Sequence, residues 1–397
     1  MKTVGIIAEY NPLHNGHVYQ LSRAKELTGA DYVIVVLSGD FTQRGAPAVL
    51  DKYLRTEMAL LSGADLVIDL PVCFATGSAE FFASGAVSIL DSLGVDYLCF
   101  GSESGNLTVL KQTAQILSDE PEAFKELLSK ALQSGMSYPA ARAAALAQYS
   151  AAPLSSPNDI LGVEYLKAIY RLKSSLRAVT LKREGSGFLD ETLCDGSFCS
   201  ALAIRNALLS GKDTASLSPF VPKSTLTILE KASKEHAFLC EDDFSSLLFY
   251  RLLSLSAEGY TDFADVSSSL SDKISSSLFS YRSYKEFCES LKTKDITYTR
   301  LSRCLLHILL DIRENERIAP YARVLGFRKD ALALFGALKN SSIPLISKPA
   351  DAKNLLSASA LALFKQDVFA AHLYEGVLAQ KKGGTPQNEY RRQIIIK

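Results

Sequence analysis

Four short β-branched runs in the first hundred residues constrain this chain more than any other feature. They are Val4-Gly5-Ile6-Ile7-Ala8, Tyr32 to Leu37, Asp65 to Leu70 and Val95 to Phe100. Each gives way to a polar turn, with Ser38-Gly39-Asp40 after the second, Pro71 after the third and Gly101 after the fourth. Helical patterns lie between them, such as His17 to Leu27. Wholly apolar strands alternating with helices belong to a parallel sheet covered on both faces. A fifth run, Leu176 to Leu181, closes the sheet. Beyond about residue 205 the rhythm gives way to leucines at helical spacing, Phe244 to Leu255 and Leu301 to Ile312 among them. Segments 225–235, 284–292, 329–339 and 356–376 also read as helices, and Ser267 to Ser280 as an irregular connection. The expected architecture is an α/β domain over residues 1–210 and an α-helical domain over 211–397.

Charge adds a weak asymmetry. The 43 basic and 43 acidic side chains cancel, which excludes a broadly basic nucleic-acid binder. Residues 1–200 hold 16 basic and 22 acidic side chains, leaving 43−16 = 27 and 43−22 = 21 in the remainder. The segment Lys381 to Lys397 carries five basic residues and one acid. Seven cysteines without a CxxC pair suit a reducing cytoplasm. No apolar run approaches the roughly 20 residues needed to span a bilayer, so no membrane role is expected.

The chemistry-bearing motif is Asn11-Pro12-Leu13-His14-Asn15-Gly16-His17, directly after the first strand. A parallel strand delivers this loop to the sheet's carboxyl edge, where open α/β folds bind ligands. Gly16 is expected to let the backbone approach a ligand, and His17 to begin a helix whose N-terminus attracts phosphate. Two imidazoles there can donate hydrogen bonds to phosphate oxygens as charge builds on them. No third ligand accompanies His14 and His17, so no metal site is expected. There is no GxxxxGK[ST], and Gly185-Ser186-Gly187 lacks the third glycine of a dinucleotide loop.

This motif in this context resembles the HxGH nucleotidyltransferase superfamily, whose Rossmann-like parallel sheet grips ATP. The run from Gly5 to His17 is similar to the opening of the bacterial tRNA(Met) cytidine acetate ligases. So are Ser38 to Gly45, Gly63 to Pro71, Phe100-Gly101-Ser102-Glu103, Ser156 to Gly162, Lys182-Arg183-Glu184-Gly185, Ser200 to Arg205 and Tyr321 to Phe327. The resemblance thus covers almost the whole chain.

It implies a ligase that activates acetate with ATP, releases pyrophosphate, and transfers acetyl to N4 of the wobble cytidine of elongator tRNA(Met). His14 and His17 would be catalytic. The segment Ile7, Ala8, Glu9, Tyr10, Asn11, Pro12, Leu13, His14, Asn15, Gly16, His17, Val18, Tyr19 and Gln20 would wrap ATP, with Gly101, Asn158 and Arg183 completing its site. Gly101 would pass close to adenosine. Arg44, Ser200 and Arg205 are further candidates, and Gln43 faces the same crevice. Asp40 stands where relatives often carry Asn, and its role stays open. Magnesium would bridge the phosphates, and the basic helical half with its tail would cradle the tRNA. Lys52 and Arg55 are expected on a solvated helix face. His236, His307 and His372 are assigned to packing or surface, and Phe244, Phe249 and Tyr250 to the core. Two rivals stand beside this reading: a small-molecule adenylyltransferase, and a non-catalytic tRNA-binding protein on the same fold.

Overall fold

In a computed structural model, residues 1–149, 156–183, 192–193, 196, 198–293, 296–313 and 318–397 are described. The expected strands form as β1 (Thr3–Ala8), β2 (Tyr32–Ser38), β3 (Leu66–Leu70), β4 (Tyr97–Ser102) and β5 (Arg177–Lys182). They pair in parallel in the order β5-β4-β1-β2-β3. β1 to β3 run outward in sequence while β4 sits on the other flank of β1. The strand order therefore reverses at the β1/β4 boundary, the crevice where such sheets bind ligands. Gly101 does not stop the fourth strand. It lies inside β4, which runs on to Ser102.

The C-terminal half is largely helical, yet it also completes the sheet. β6 (Ala322–Phe327) lies antiparallel against β3, and β7 (Leu345–Ile346) and β8 (Ile395–Ile396) pair in parallel with β6. Arg323 and Gly326 interrupt the apolar run of β6, so it lacks the continuous apolar signature of β2 and escaped the sequence reading. The serine-rich stretch is ordered too: a helix spans Ser268–Ser277, with Ser267 capping its N-terminus onto Leu270. Leu270 and Ile274 are its buried anchors. Among the described residues no helix is long and apolar enough to cross a membrane.

The helix α2 (Lys52–Leu61) departs most from expectation. Lys52 and Arg55 are buried, at 2% and 0% exposure. Lys52 Nζ lies 2.9 Å from Asp69, 2.8 Å from Glu389 and 3.9 Å from Asp40. Arg323 of β6 meets Glu389 at 2.7 Å and Asp69 at 3.8 Å. Arg55 donates to the carbonyls of Leu50 (2.9 Å), Glu9 (2.7 Å), Ser38 (3.0 Å) and Gly39. The face of α2 that periodicity leaves polar is covered by β6 and by the segment around Glu389, more than three hundred residues away. Tyr250 corrects the other way: it is 70% exposed, whereas Phe244 is in the core and Phe249 packs at its edge. His307 is buried between the Ala264 and Thr76 carbonyls, His372 accepts from the Glu389 amide, and His236 is exposed.

Candidate functional site

Beyond β1 the chain turns through Tyr10, whose φ of 44° is left-handed, and a cis Asn11–Pro12 peptide. It then enters α1 (Asn15–Thr28). The helix begins earlier than expected, with His14 as its N-cap and His17 in its first turn. Cap and helix exchange bonds reciprocally. His14 Nδ1 accepts the Gly16 amide at 3.1 Å, and His17 Nδ1 accepts the His14 amide at 3.2 Å. This geometry serves two orphan donors of the helix start and decides the tautomer. A neutral imidazole accepting at Nδ1 carries its proton on Nε2. The rings stack with centroids 3.7 Å apart. Burial, with Arg183 and Arg205 nearby, pushes His14 down to about 3. Burial, then His14 and Arg183, holds His17 well below the usual imidazole range. Both are neutral near pH 7, each with one N–H left to offer.

The histidines stand between two lobes of one crevice. The larger has a volume of about 460 Å³, within the range of small-molecule sites, and the smaller about 60 Å³. Both are lined by His14, His17, Gln20, Gly101 and Arg183. The smaller adds Gly16, Tyr19, Leu181, Lys182, Phe198 and Cys199. The larger adds Ile7, Ala8, Glu9, Tyr10, Asn11, Gln43, Arg44, Asn158, Ser200 and Arg205, with an apolar wall that includes Phe82, Phe100, Leu161 and Tyr165. Arg44 and Gln43 from a loop, and Ser200 and Arg205 from the helix Ala201–Leu209 and its N-cap, are thus brought to the histidines from segments distant in sequence.

Pro12, Leu13, Asn15 and Val18 line neither lobe. Leu13 is a core residue, Val18 packs against the core, and Asn15 donates to the Pro219 carbonyl at 2.9 Å. Several wall residues also brace the loop. Asn11 Oδ1 accepts the Val49 amide at 2.8 Å, and Arg205 Nη1 donates to the Asn11 carbonyl at 2.7 Å. Glu9 accepts the Gln43 amide at 2.9 Å, and Ser200 caps the helix Ala201–Leu209 by accepting from Ala203 at 3.0 Å. Asn158 donates to Glu103 at 2.6 Å, behind Ser156 as the cap of its helix.

Gly16, which lines the smaller lobe, has a further reason inside the loop. A Cβ there would stand 2.9 Å from His14 Cε1, so the residue makes room for the histidine ring itself. At Gly101 a Cβ would meet only the Arg183 stem, at 3.4 Å. Burial, with the Arg44 charge beside it, lowers Arg205 to about 10 against the pull of Glu9 and Glu241. Among the described residues, the larger lobe carries four guanidinium groups, from Arg44, Arg183, Arg205 and Arg303, against one carboxylate, Glu9. The neutral donors of His14 and His17 at a helix start, with Arg183 and Arg205 beside them, suit a polyphosphate. No cluster of three or more His, Cys, Asp or Glu side chains able to hold a metal stands among the described residues. Among the described residues of the crevice, Glu9 is the carboxylate that could join phosphate and water around a magnesium ion arriving with a triphosphate. Glu184, and the glycines Gly185 and Gly187, lie outside the described residues. Sequence reasoning missed Phe198, Phe82, Tyr165, Thr299 and Arg303. Only Phe198, two residues before the Ser200 motif, carried a signal that could have found it.

Comparison with known proteins gives the same outline. The family model described as HIGH Nucleotidyl Transferase matches residues 1–389. The tRNA(Met) cytidine acetate ligase of Acetivibrio thermocellus is 40% identical over 415 aligned residues, covering 100% of both chains. The protein of the same name from Clostridium acetobutylicum is 40% identical over 417, again covering 100% of both. The crystal structure of Thermotoga maritima TmcAL in an apo form superposes with a TM-score of 0.93 at 30% identity, covering 100% of this chain and 99% of that one. The form bound with alpha-thio ATP gives 0.90 at 31%, with the same coverage.

Proposed function

The chain belongs to the HIGH nucleotidyl transferase family and is an ATP-dependent ligase that stands with the tRNA(Met) cytidine acetate ligases; from that premise we propose that it acetylates N4 of the wobble cytidine of elongator tRNA(Met) by way of acetyl-adenylate. The observation that carries this reading is the pair of neutral imidazoles, each with Nδ1 occupied by a backbone amide and Nε2–H left for a ligand.

Acetate is inert as an acyl donor, and cytosine N4 is a poor nucleophile because its lone pair is conjugated with the ring. Activation must come first. An acetate oxygen attacks the α-phosphorus, the bond to the bridging oxygen breaks, and pyrophosphate leaves. Nε2–H of His14 and His17 donates to the phosphate oxygens as negative charge grows in that displacement. Arg205 and Arg183 add charge-assisted bonds to the polyphosphate, and Arg183 with Asn158 borders the nucleoside. In the second half, N4 attacks the acetyl carbonyl, AMP leaves, and the nitrogen gives up its proton. Magnesium would screen the charge of the phosphates.

On this reading residues 1–210 hold the nucleotide chemistry and 211–397 contribute to tRNA binding in the cytoplasm. The segment past Lys381 is a poorer RNA cradle than its composition suggested. Lys381 pairs with Asp243 at 2.8 Å, Lys382 with Glu235 at 2.6 Å, Lys397 with Glu57 at 2.5 Å, and Arg392 with Glu375. The deciding assay supplies labelled acetate, ATP and tRNA(Met) lacking the modification, then digests the RNA. Labelled N4-acetylcytidine without acetyl-CoA is the expected product, and unlabelled tRNA at saturating ATP would refute the reading.

A further inference from the structure

Part of the positive charge in the larger lobe comes from the far half of the chain. Arg183 borders both lobes beside the histidines, and Arg205 holds the loop carbonyl of Asn11. Arg44 and Arg303 border only the larger lobe. Arg303 lies on the helix Tyr298–Leu310, which also sends Thr299 to the same wall.

Arg303 is held in place from two sides. Its buried Nε forms an ion pair with the Asp265 carboxylate at 3.7 Å, beyond hydrogen-bond reach, and has no hydrogen-bond partner among the described residues. Its position relative to Arg44 is also fixed. Gly45 has a φ of 75°, and a Cβ there would lie 2.3 Å from the Arg303 backbone nitrogen. The Gly45 carbonyl accepts from Ser302 Oγ at 2.8 Å. The loop bearing Arg44 is therefore seated directly on the helix bearing Arg303, and the pair forms one rigid edge of the crevice.

We propose that Arg303, with Thr299 and Arg44, forms the seat for the phosphodiester flanking the target cytidine, on the larger-lobe side of the histidine pair. The proposal rests on the ligase reading above and deepens it. A guanidinium presents a planar fork that matches phosphate oxygens, and a threonine hydroxyl adds a neutral donor. A base entering the crevice from a single-stranded loop must bring its own phosphates with it. An anchor at the rim orients that backbone without reading sequence.

The test uses the full chain and an unmodified anticodon stem-loop of tRNA(Met), with binding followed by fluorescence anisotropy across a salt series. Arg303→Ala is expected to weaken binding about tenfold, the worth of a charge-assisted bond. It should also flatten the slope of log Kd against log salt by roughly 0.7, one phosphate contact on a single strand. Arg303→Lys should restore the slope but not the full affinity. Acetate-dependent exchange of pyrophosphate into ATP, measured in the same variants, should keep the wild-type KM for ATP, which also reports an intact fold. Unchanged RNA binding, or a KM for ATP that rises with the variant, would overturn the proposal; the latter would assign Arg303 to the triphosphate. Wild-type chain that binds the RNA with this Arg303 dependence but transfers no acetyl would refute the ligase chemistry and support the seat.

Discussion

At the scale of single residues, the histidine pair makes two expectations unusually sharp. Because burial and neighbouring arginines keep both imidazoles neutral, adenylation should show no inflection near pH 6.5. A rate of acetate-dependent exchange that falls with a midpoint near 6.5 would contradict the neutrality of the pair. Stability carries the complementary sign. The unfolded chain takes up imidazole protons below its ordinary value of 6.5 while His14 resists them down to about 3, so the ligand-free protein should lose stability as pH falls through that window. Gly16→Ala is expected to lower the exchange rate by one to two orders of magnitude, roughly the cost of misplacing a catalytic donor, with little loss of helix content by circular dichroism. His17→Ala should abolish acetate-dependent AMP formation and leave RNA binding nearly intact. The histidines, the glycine between them and the arginines at 44, 183 and 205 were legible because each lies in a short motif beside a strand end or helix start. Arg303 was not, because a lone arginine at helical spacing looks the same whether it faces water or a crevice.

At the scale of elements, α2 shows where periodicity stops informing. Its leucine and methionine stripe was readable; the cover over its other face was not, since that cover comes from β6 and Glu389. Arg55 bonds the carbonyls that end β1 and β2, so it fixes where the histidine loop departs from the sheet. Arg55→Lys keeps the charge but replaces a five-donor fork by an ammonium. The expected cost is about 3 kcal/mol of unfolding free energy, read from a denaturant titration, because buried carbonyls lose their donors. Asp40 behaves in the opposite sense. Burial raises its carboxyl to about 7 against the pull of Lys52. With that proton in place, Lys52 and Arg323 balance Asp69 and Glu389. Holding a proton in the folded state that the unfolded chain releases near 3.8 favours folding at low pH, and this gain is lost as pH rises toward 7. Asp40→Asn preserves an acceptor for the Lys52 amide, now 2.8 Å from Asp40 Oδ1. It should raise stability by at least about 1 kcal/mol at pH 8 and much less at pH 5. Equal shifts at both pH values would show that Asp40 is not the titrating group.

At the scale of the whole molecule, the five parallel strands and the crevice at their reversal could be read from hydrophobic runs alone. The completion of the sheet by the C-terminal half could not, because short strands separated by long helical stretches leave little periodic signal. The sheet therefore continues across the boundary expected near residue 210. β3 has no partner on its outer side until β6 arrives, and all five of its residues are buried. A chain ending at 210 would expose an apolar strand edge of the kind that recruits other copies, and would leave Lys52 without Glu389. Such a fragment should collect in inclusion bodies, whereas co-expression with residues 211–397 should return it to the soluble fraction. Residues 1–210 thus cannot be lifted out as a module or grafted onto a different partner. Any redesign of what this enzyme modifies would have to travel with the seam that stitches the back of the chain to its front.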